Sequence, residues 1–342
     1  MSVRRPAPAQ SEPSSNAGFS LIELMVSMTI GLIVAGAAFY AYLGTTRATK
    51  MAEAQGRMYE DGQAALTILT QQLQMAGANP DQANRPGNLD PTLSSRRNPV
   101  YLPLPTYPGF ALVPPTYRPS GFMIRGCSST FSNIANGGAI DDLICAPGTG
   151  TQSIAINYEA DRFNTVADDA SLPTDCLGNA LAPIIATMPV AIGTDIKNAD
   201  ISYAVADNRF YIGTTQAMSS LYCKGNGAAT ALPLVDNIED LQFSYGAISA
   251  ANSDHAATVA GYLSADEVNT QADMASLPSD AARWGKVLTV RICIVVRSEF
   301  PVVANTPSAR YLRCDGTLES TPPDLRLRQA YRTTVLLRNR NS

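Results

Sequence analysis

From Phe19 to Leu43 the sequence reads FSLIELMVSMTIGLIVAGAAFYAYL, 25 residues with one charge, Glu23. About 20 apolar residues suffice to cross a bilayer as a helix. The run is too long for the apolar core of a secretory signal, which spans roughly 7–15 residues, and Gly44-Thr45-Thr46 is a poor cleavage site. A wholly apolar 25-mer also suits the buried centre of a domain this size badly. The stretch therefore reads as a membrane anchor. Residues 1–18 (MSVRRPAPAQSEPSSNAG) precede it, are polar, and have nothing to bury, which predicts a disordered leader. A plain anchor leaves Glu23 unexplained, because a carboxylate in the bilayer costs on the order of 2.5–3.5 kcal/mol. Its place near the helix start offsets part of that by opposing the macrodipole. The remainder calls for a partner.

Gly18-Phe19-Ser20-Leu21-Ile22-Glu23, set where polar leader meets apolar helix, resembles the class III signal of type IV prepilins and type II secretion pseudopilins. The resemblance implies that a prepilin peptidase cuts between Gly18 and Phe19 and N-methylates Phe19. It also implies that Glu23 neutralises the amine of an adjacent subunit during assembly. The physics agrees: cleavage creates a free amine at Phe19, four residues from Glu23, and such a pairing is strong in apolar surroundings. Many major pilins carry a proline in this helix, and Phe19–Leu43 has none. Gly31 and Gly36 are its intrinsic weak points, at about 1 kcal/mol each relative to Ala.

The helical pattern continues past Leu43. Met51, Met58, Ala65, Leu69, Leu73 and Ala76 recur at the spacing of one helical face, and Gly77-Ala78-Asn79-Pro80 is a stop signal. Residues 19–78 thus predict one helix of about 60 residues, roughly 90 Å long. Its first half (19–43) would lie in lipid or a fibre core, and its second half would pack on a globular head. Residues 79–120, rich in Pro and Tyr, read as an extended connection. Residues 121–342 read as a β-rich head. Strands are expected at Ser153–Tyr158, Asp200–Ala206, Arg209–Thr214, Ser219–Cys223, Leu241–Tyr245, Val287–Val296 and Arg332–Leu337. Ala247–Ser279 reads as a large loop with a short helix. The fold class is α+β, pilin-like.

Cys127, Cys145, Cys176, Cys223, Cys293 and Cys314 are spaced too widely for a zinc or thioredoxin-like motif. Downstream of a membrane anchor, an even number reads as disulfides formed in an oxidising compartment. Six cysteines allow 15 connectivities. The simplest set without nesting joins Cys127–Cys145, Cys176–Cys223 and Cys293–Cys314.

The order of further segments extends the resemblance. Asp175-Cys176-Leu177-Gly178 and Leu221-Tyr222-Cys223 come first, then Leu234 to Gly246 (LVDNIEDLQFSYG) and a loop ending at Trp284. Val290-Arg291-Ile292, Val296-Arg297-Ser298 and Val335-Leu336-Leu337-Arg338-Asn339 follow. This succession resembles the PilW-type minor pilins of type IV pili, and loosely the J-type minor pseudopilins of type II secretion. It implies that Cys176 and Cys223 flank adjacent strands.

No catalytic set emerges, and neither a cofactor nor a metal is expected. Ser253-Asp254-His255 holds the residue types of a hydrolytic triad, but adjacency in sequence is no evidence of its geometry. Gly148-Thr149-Gly150-Thr151 lacks the ending of a phosphate loop, and Asp141-Asp142 and Asp168-Asp169 lack calcium-loop spacing. A net charge of -4 gives no global pull towards nucleic acid, although Arg326, Arg328, Arg332, Arg338 and Arg340 cluster at the far end. The expectation is a structural, non-enzymatic minor pilin acting in initiation or at the tip of a pilus, and so in twitching, adhesion or DNA uptake. Expected partners are other minor pilins, the major pilin, the prepilin peptidase, the inner membrane and a tip adhesin. The head would be periplasmic before assembly and on the cell surface after it. A type II secretion pseudopilin and a membrane-anchored adhesive or ligand-binding module are the alternatives.

Overall fold

The computed structural model describes residues 18–78, 121–135, 138–192, 195–216, 218–251 and 258–339. Residues 1–17 and 79–120, on which the expected leader and extended connection fall, and Ser253, Asp254 and His255 lie outside them. The chain divides into two compact units, Met1–Ala52 and Glu53–Ser342, and one helix, α1 (Leu21–Met75), runs through the division.

In the first unit α1 is exposed except at Thr46, which is half-buried. It is long and apolar enough to cross a membrane, and none of its most apolar 18-residue window is buried. Its threonine hydroxyls are satisfied within the helix. Those of Thr29, Thr45, Thr46 and Thr49 donate to the carbonyls of Val26, Ala41, Tyr42 and Thr45 at 2.8, 2.9, 2.9 and 3.0 Å. Within the apolar run, Thr29 thereby leaves no hydroxyl needing water, as a segment in hydrocarbon would require.

In the second unit α1 is amphipathic, with Met58, Ala65, Leu66, Leu69 and Leu73 buried. This is the expected stripe, except that Met51 falls in the first unit and is exposed. The helix ends at Gly77, whose φ of 71° is the left-handed cap position that favours glycine. A Cβ there would sit 2.5 Å from Met123 Sδ and 2.8 Å from the Asn339 carbonyl. The Gly77 N–H donates to the Asn157 carbonyl (2.9 Å), joining the helix end to the head.

The head holds two antiparallel sheets. The first contains β1 (Ile124–Cys127), β2 (Ser153–Ala160), β3 (Ile184–Ile192), β4 (Asp195–Thr215), β5 (Met218–Lys224) and β6 (Leu232–Asp236), in the order β1-β2-β4-β5-β6 with β3 paired to the start of β4. The second contains β7 (Ile238–Ala247), β8 (Gly261–Leu263), β9 (Val287–Arg297) and β12 (Arg328–Leu336), in the order β12-β9-β7-β8. A two-stranded hairpin of β10 (Tyr311–Leu312) and β11 (Leu318–Glu319) stands apart. One residue, Asn237, separates β6 from β7 and switches the chain between sheets. Its φ is 63°, a conformation Asn tolerates better than most side chains. Ile154, Ile156, Phe210, Leu221, Phe243, Tyr245, Val290, Ile292 and Ile294 from both sheets join the buried stripe of α1 in one core.

Two expectations need revision. The segments 200–206 and 209–214 belong to a single strand, β4, and Asp207-Asn208, a turn pair by composition, lies inside it. Tertiary partners explain this. Asp207 is buried against Arg209 (2.9 Å), and the Asn208 side chain donates to Gln72 on α1 (2.8 Å). The 247–279 loop contains β8, α2 (Ala265–Thr270) and α3 (Ala272–Ala275), with α4 (Asp280–Trp284) following and α5 (Thr306–Ala309) further on. β1, β3, β6, β10 and β11 had no sequence counterpart.

Candidate functional site

Glu23 sits in the first turn of α1, in the third helical position. Its Oε2 accepts a hydrogen bond from the Ser20 N–H (3.0 Å), while its own N–H donates to Ser20 Oγ (3.2 Å). This reciprocal pair is a capping box, and its signal, Ser-x-x-Glu before an apolar run, is present in the sequence. It meets two of the donors that a helix start leaves open. Only one carboxylate oxygen is engaged there, and the side chain lies on an exposed part of the chain. Gly18 and Phe19, the residues of the expected cleavage, are exposed just ahead of the helix. Gly18, Phe19 and Glu23 are therefore together at one accessible end.

The six cysteines of the head are bonded as Cys127–Cys145, Cys176–Cys223 and Cys293–Cys314. The first ties β1 to the segment after a short 3-10 turn (Ile140–Asp142). The second ties the loop before β3 to β5. The third ties β9 to the β10–β11 hairpin. Around Cys176 the loop is shaped by the buried Asp175, whose carboxylate accepts the N–H groups of Leu177 (2.8 Å), Asn179 (3.0 Å) and Gly227 (2.9 Å).

The acidic pairs are local structure. Asp142 accepts the Ala139 N–H (3.2 Å), and Asp168 accepts those of Ala170 (3.0 Å) and Leu172 (2.7 Å). Burial pushes the Asp141 carboxyl up to about 6. Its backbone carbonyl accepts from the Arg125 guanidinium (2.8 Å). Among the described residues no group of three or more His, Cys, Asp or Glu is placed to hold a metal ion. Several arginines near the C-terminus serve the fold. Arg328 is buried and pairs with Glu239 (2.6 Å) and Asp324 (2.7 Å), and Arg332 donates to the Arg313 carbonyl (2.8 Å).

Residues 13–39 match the family model described as Prokaryotic N-terminal methylation motif, and residues 209–339 match the one described as Type IV Pilus-assembly protein W. The first covers Gly18, Phe19 and Glu23. The second runs from within β4 to the end of the described head. No curated protein and no solved structure matches the chain. With a methylation-motif match at the start of an apolar helix and a disulfide-bonded β head that partly matches the pilus-assembly model, the chain is similar to the PilW-type minor pilins.

Proposed function

We propose that this chain enters the inner membrane through Phe19–Leu43 with its head in the periplasm. A prepilin peptidase then cuts it between Gly18 and Phe19 and methylates the new amine. The mature subunit joins other minor pilins to initiate or cap a pilus. In that assembly one oxygen of Glu23 stays in the capping box with Ser20, and the other accepts the Phe19 amine of a neighbouring subunit. The observation that carries this reading is the placement of Gly18, Phe19 and Glu23 at the exposed start of an apolar helix, within the methylation-motif match. The role is structural: packing of the helix plus one charge pair that sets register.

Mass spectrometry of the mature N-terminus tests the processing step. A start at methyl-Phe19 is expected, and an intact leader or a cut after residue 43 would refute the reading. Glu23→Ala should still be cleaved and membrane-bound but should reach sheared pili poorly; normal incorporation would remove the charge pair from the argument. In a deletion strain, loss of twitching with intact protein secretion is expected. The reverse pattern would transfer the subunit to a type II secretion machine.

A further inference from the structure

The outer face of the second sheet is only half covered. Residues directly opposed in an antiparallel sheet share a face. Gln242, Cys293 and Arg332 form one row of that face, and Ser244, Arg291 and Thr334 form the next. The Cys293–Cys314 bond and the Arg332 hydrogen bond to the Arg313 carbonyl fasten the β10–β11 hairpin over the first row. The second row is left open, with Arg291 and Thr334 exposed and Ser244 half-buried.

Arg291 is held there by design of its surroundings. Its guanidinium lies over the Tyr262 ring, 3.4 Å from the centroid. Tyr262 stands opposite Gly246, and the Thr289 hydroxyl donates to its hydroxyl (3.2 Å). A Cβ on Gly246 would come within 2.2 Å of Thr289 Oγ1 and 3.1 Å of the Tyr262 ring, so this arrangement requires glycine at that position. No carboxylate pairs with Arg291 among the described residues. Stacking uses one flat side of a guanidinium and leaves the N–H fork in its plane free, the geometry that takes a carboxylate in two parallel hydrogen bonds. Ser244 on β7 and Thr334 on β12 are the cross-strand neighbours of Arg291 in this row.

We propose that the Ser244–Arg291–Thr334 row is a docking point for an acidic side chain on a neighbouring subunit of the pilus. The proposal rests on the pilus reading above. One guanidinium, held flat on Tyr262 with its N–H fork open, matches one carboxylate. Nucleic acid would need a run of free cations on this face, whereas Arg332 in the row on one side is engaged by the Arg313 carbonyl and the row on the other side is Gly246, Thr289 and Leu336. Leu336 is half exposed beside it and supplies apolar contact of the kind a protein surface meets.

The test compares full-length chains carrying Arg291→Glu, Arg291→Ala and Arg291→Lys in cells that make the pilus, reading the ratio of subunit in sheared pili to subunit in the membrane. Arg291→Glu should lower that ratio about tenfold or more, as expected for a charge-assisted hydrogen bond turned into a repulsion. Arg291→Ala should lower it less, and Arg291→Lys should recover only part, because lysine keeps the charge without the stacked fork. Wild-type incorporation of Arg291→Glu would overturn the proposal. So would a loss matched by a lower thermal midpoint of the purified, detergent-solubilised chain, which would make Arg291 a residue of sheet stability. Absence of the wild-type chain itself from sheared pili would instead refute the pilus reading, and this inference with it.

Discussion

At the scale of the residue, Tyr245 and Asp61 show what burial does to polar groups. Tyr245 is fully buried against Trp284, with ring centroids 4.7 Å apart, and its hydroxyl has no hydrogen-bond partner among the described residues. Burial alone pushes that hydroxyl's pKa upward. An unmet buried donor costs about 1–3 kcal/mol, so Tyr245→Phe should raise stability by about 1 kcal/mol. A rise in the thermal midpoint would agree, and a clear fall would show that the hydroxyl has a partner. Asp61 on α1 is pushed above its ordinary value of 3.8, first by burial, although the Asn237 side chain donates to it (3.5 Å). A carboxyl with a raised folded pKa adds stability that is complete below the unfolded value and is lost as pH rises through the folded one. On its account the thermal midpoint should decline as pH rises from about 4 through the weakly acid range. Asp61→Asn should remove that part of the slope, and an unchanged slope would assign it elsewhere.

At the scale of the element, the second sheet is braced across its strands. Arg328 on β12 reaches over β9 to Glu239 at the start of β7, with Nε–Oε2 2.6 Å and Nη2–Oε1 2.9 Å, and also holds Asp324. Its side chain is only 1% exposed. Burial works against the guanidinium's charge, but the hydrogen bonds it donates to Glu239 and Asp324 more than reverse this and raise its pKa. For Asp324, burial likewise opposes the charge, and Arg328 brings the carboxyl below its ordinary value. Removing one partner of such a pair leaves the other buried and uncompensated. Glu239→Ala should therefore lower unfolding free energy by about 3 kcal/mol, measured by urea titration, and Glu239→Gln by less. A loss below about 1 kcal/mol would mean that Asp324 alone satisfies Arg328.

At the scale of the whole molecule, the disulfides join parts that the sheets do not. Cys176–Cys223 closes 47 residues of separation, against 18 and 21 for the other two. On the chain-entropy account these correspond to about 4 kcal/mol for the long loop and about 3 kcal/mol for each short one. Cys176→Ser with Cys223→Ser should therefore lower the thermal midpoint more than either of the other paired replacements. Equal losses would show that strain or residual unfolded structure outweighs loop length. Much of this architecture was legible in the sequence. Apolar run length, the 3-4-7 stripe and Gly77 are local signals, so they marked the long apolar helix, its buried face from Met58 to Leu73 and its stop. Gly18, Phe19 and Glu23 stand where polar sequence meets that apolar helix, and the roles given to them belong to the proposal above. Other features had no local signal. Asp207-Asn208 runs through the middle of β4 because Arg209 and Gln72, distant or paired only after folding, satisfy it. β3 and β6 are strands because β4 and β5 offer them hydrogen-bonding edges. The open row at Arg291 exists because sheet register, the Gly246 gap and the hairpin anchored by Cys314 meet at one face. Propensity and hydrophobic period are properties of neighbours along the chain, whereas pairing, burial of charge and exposed surface are set by what lies across it.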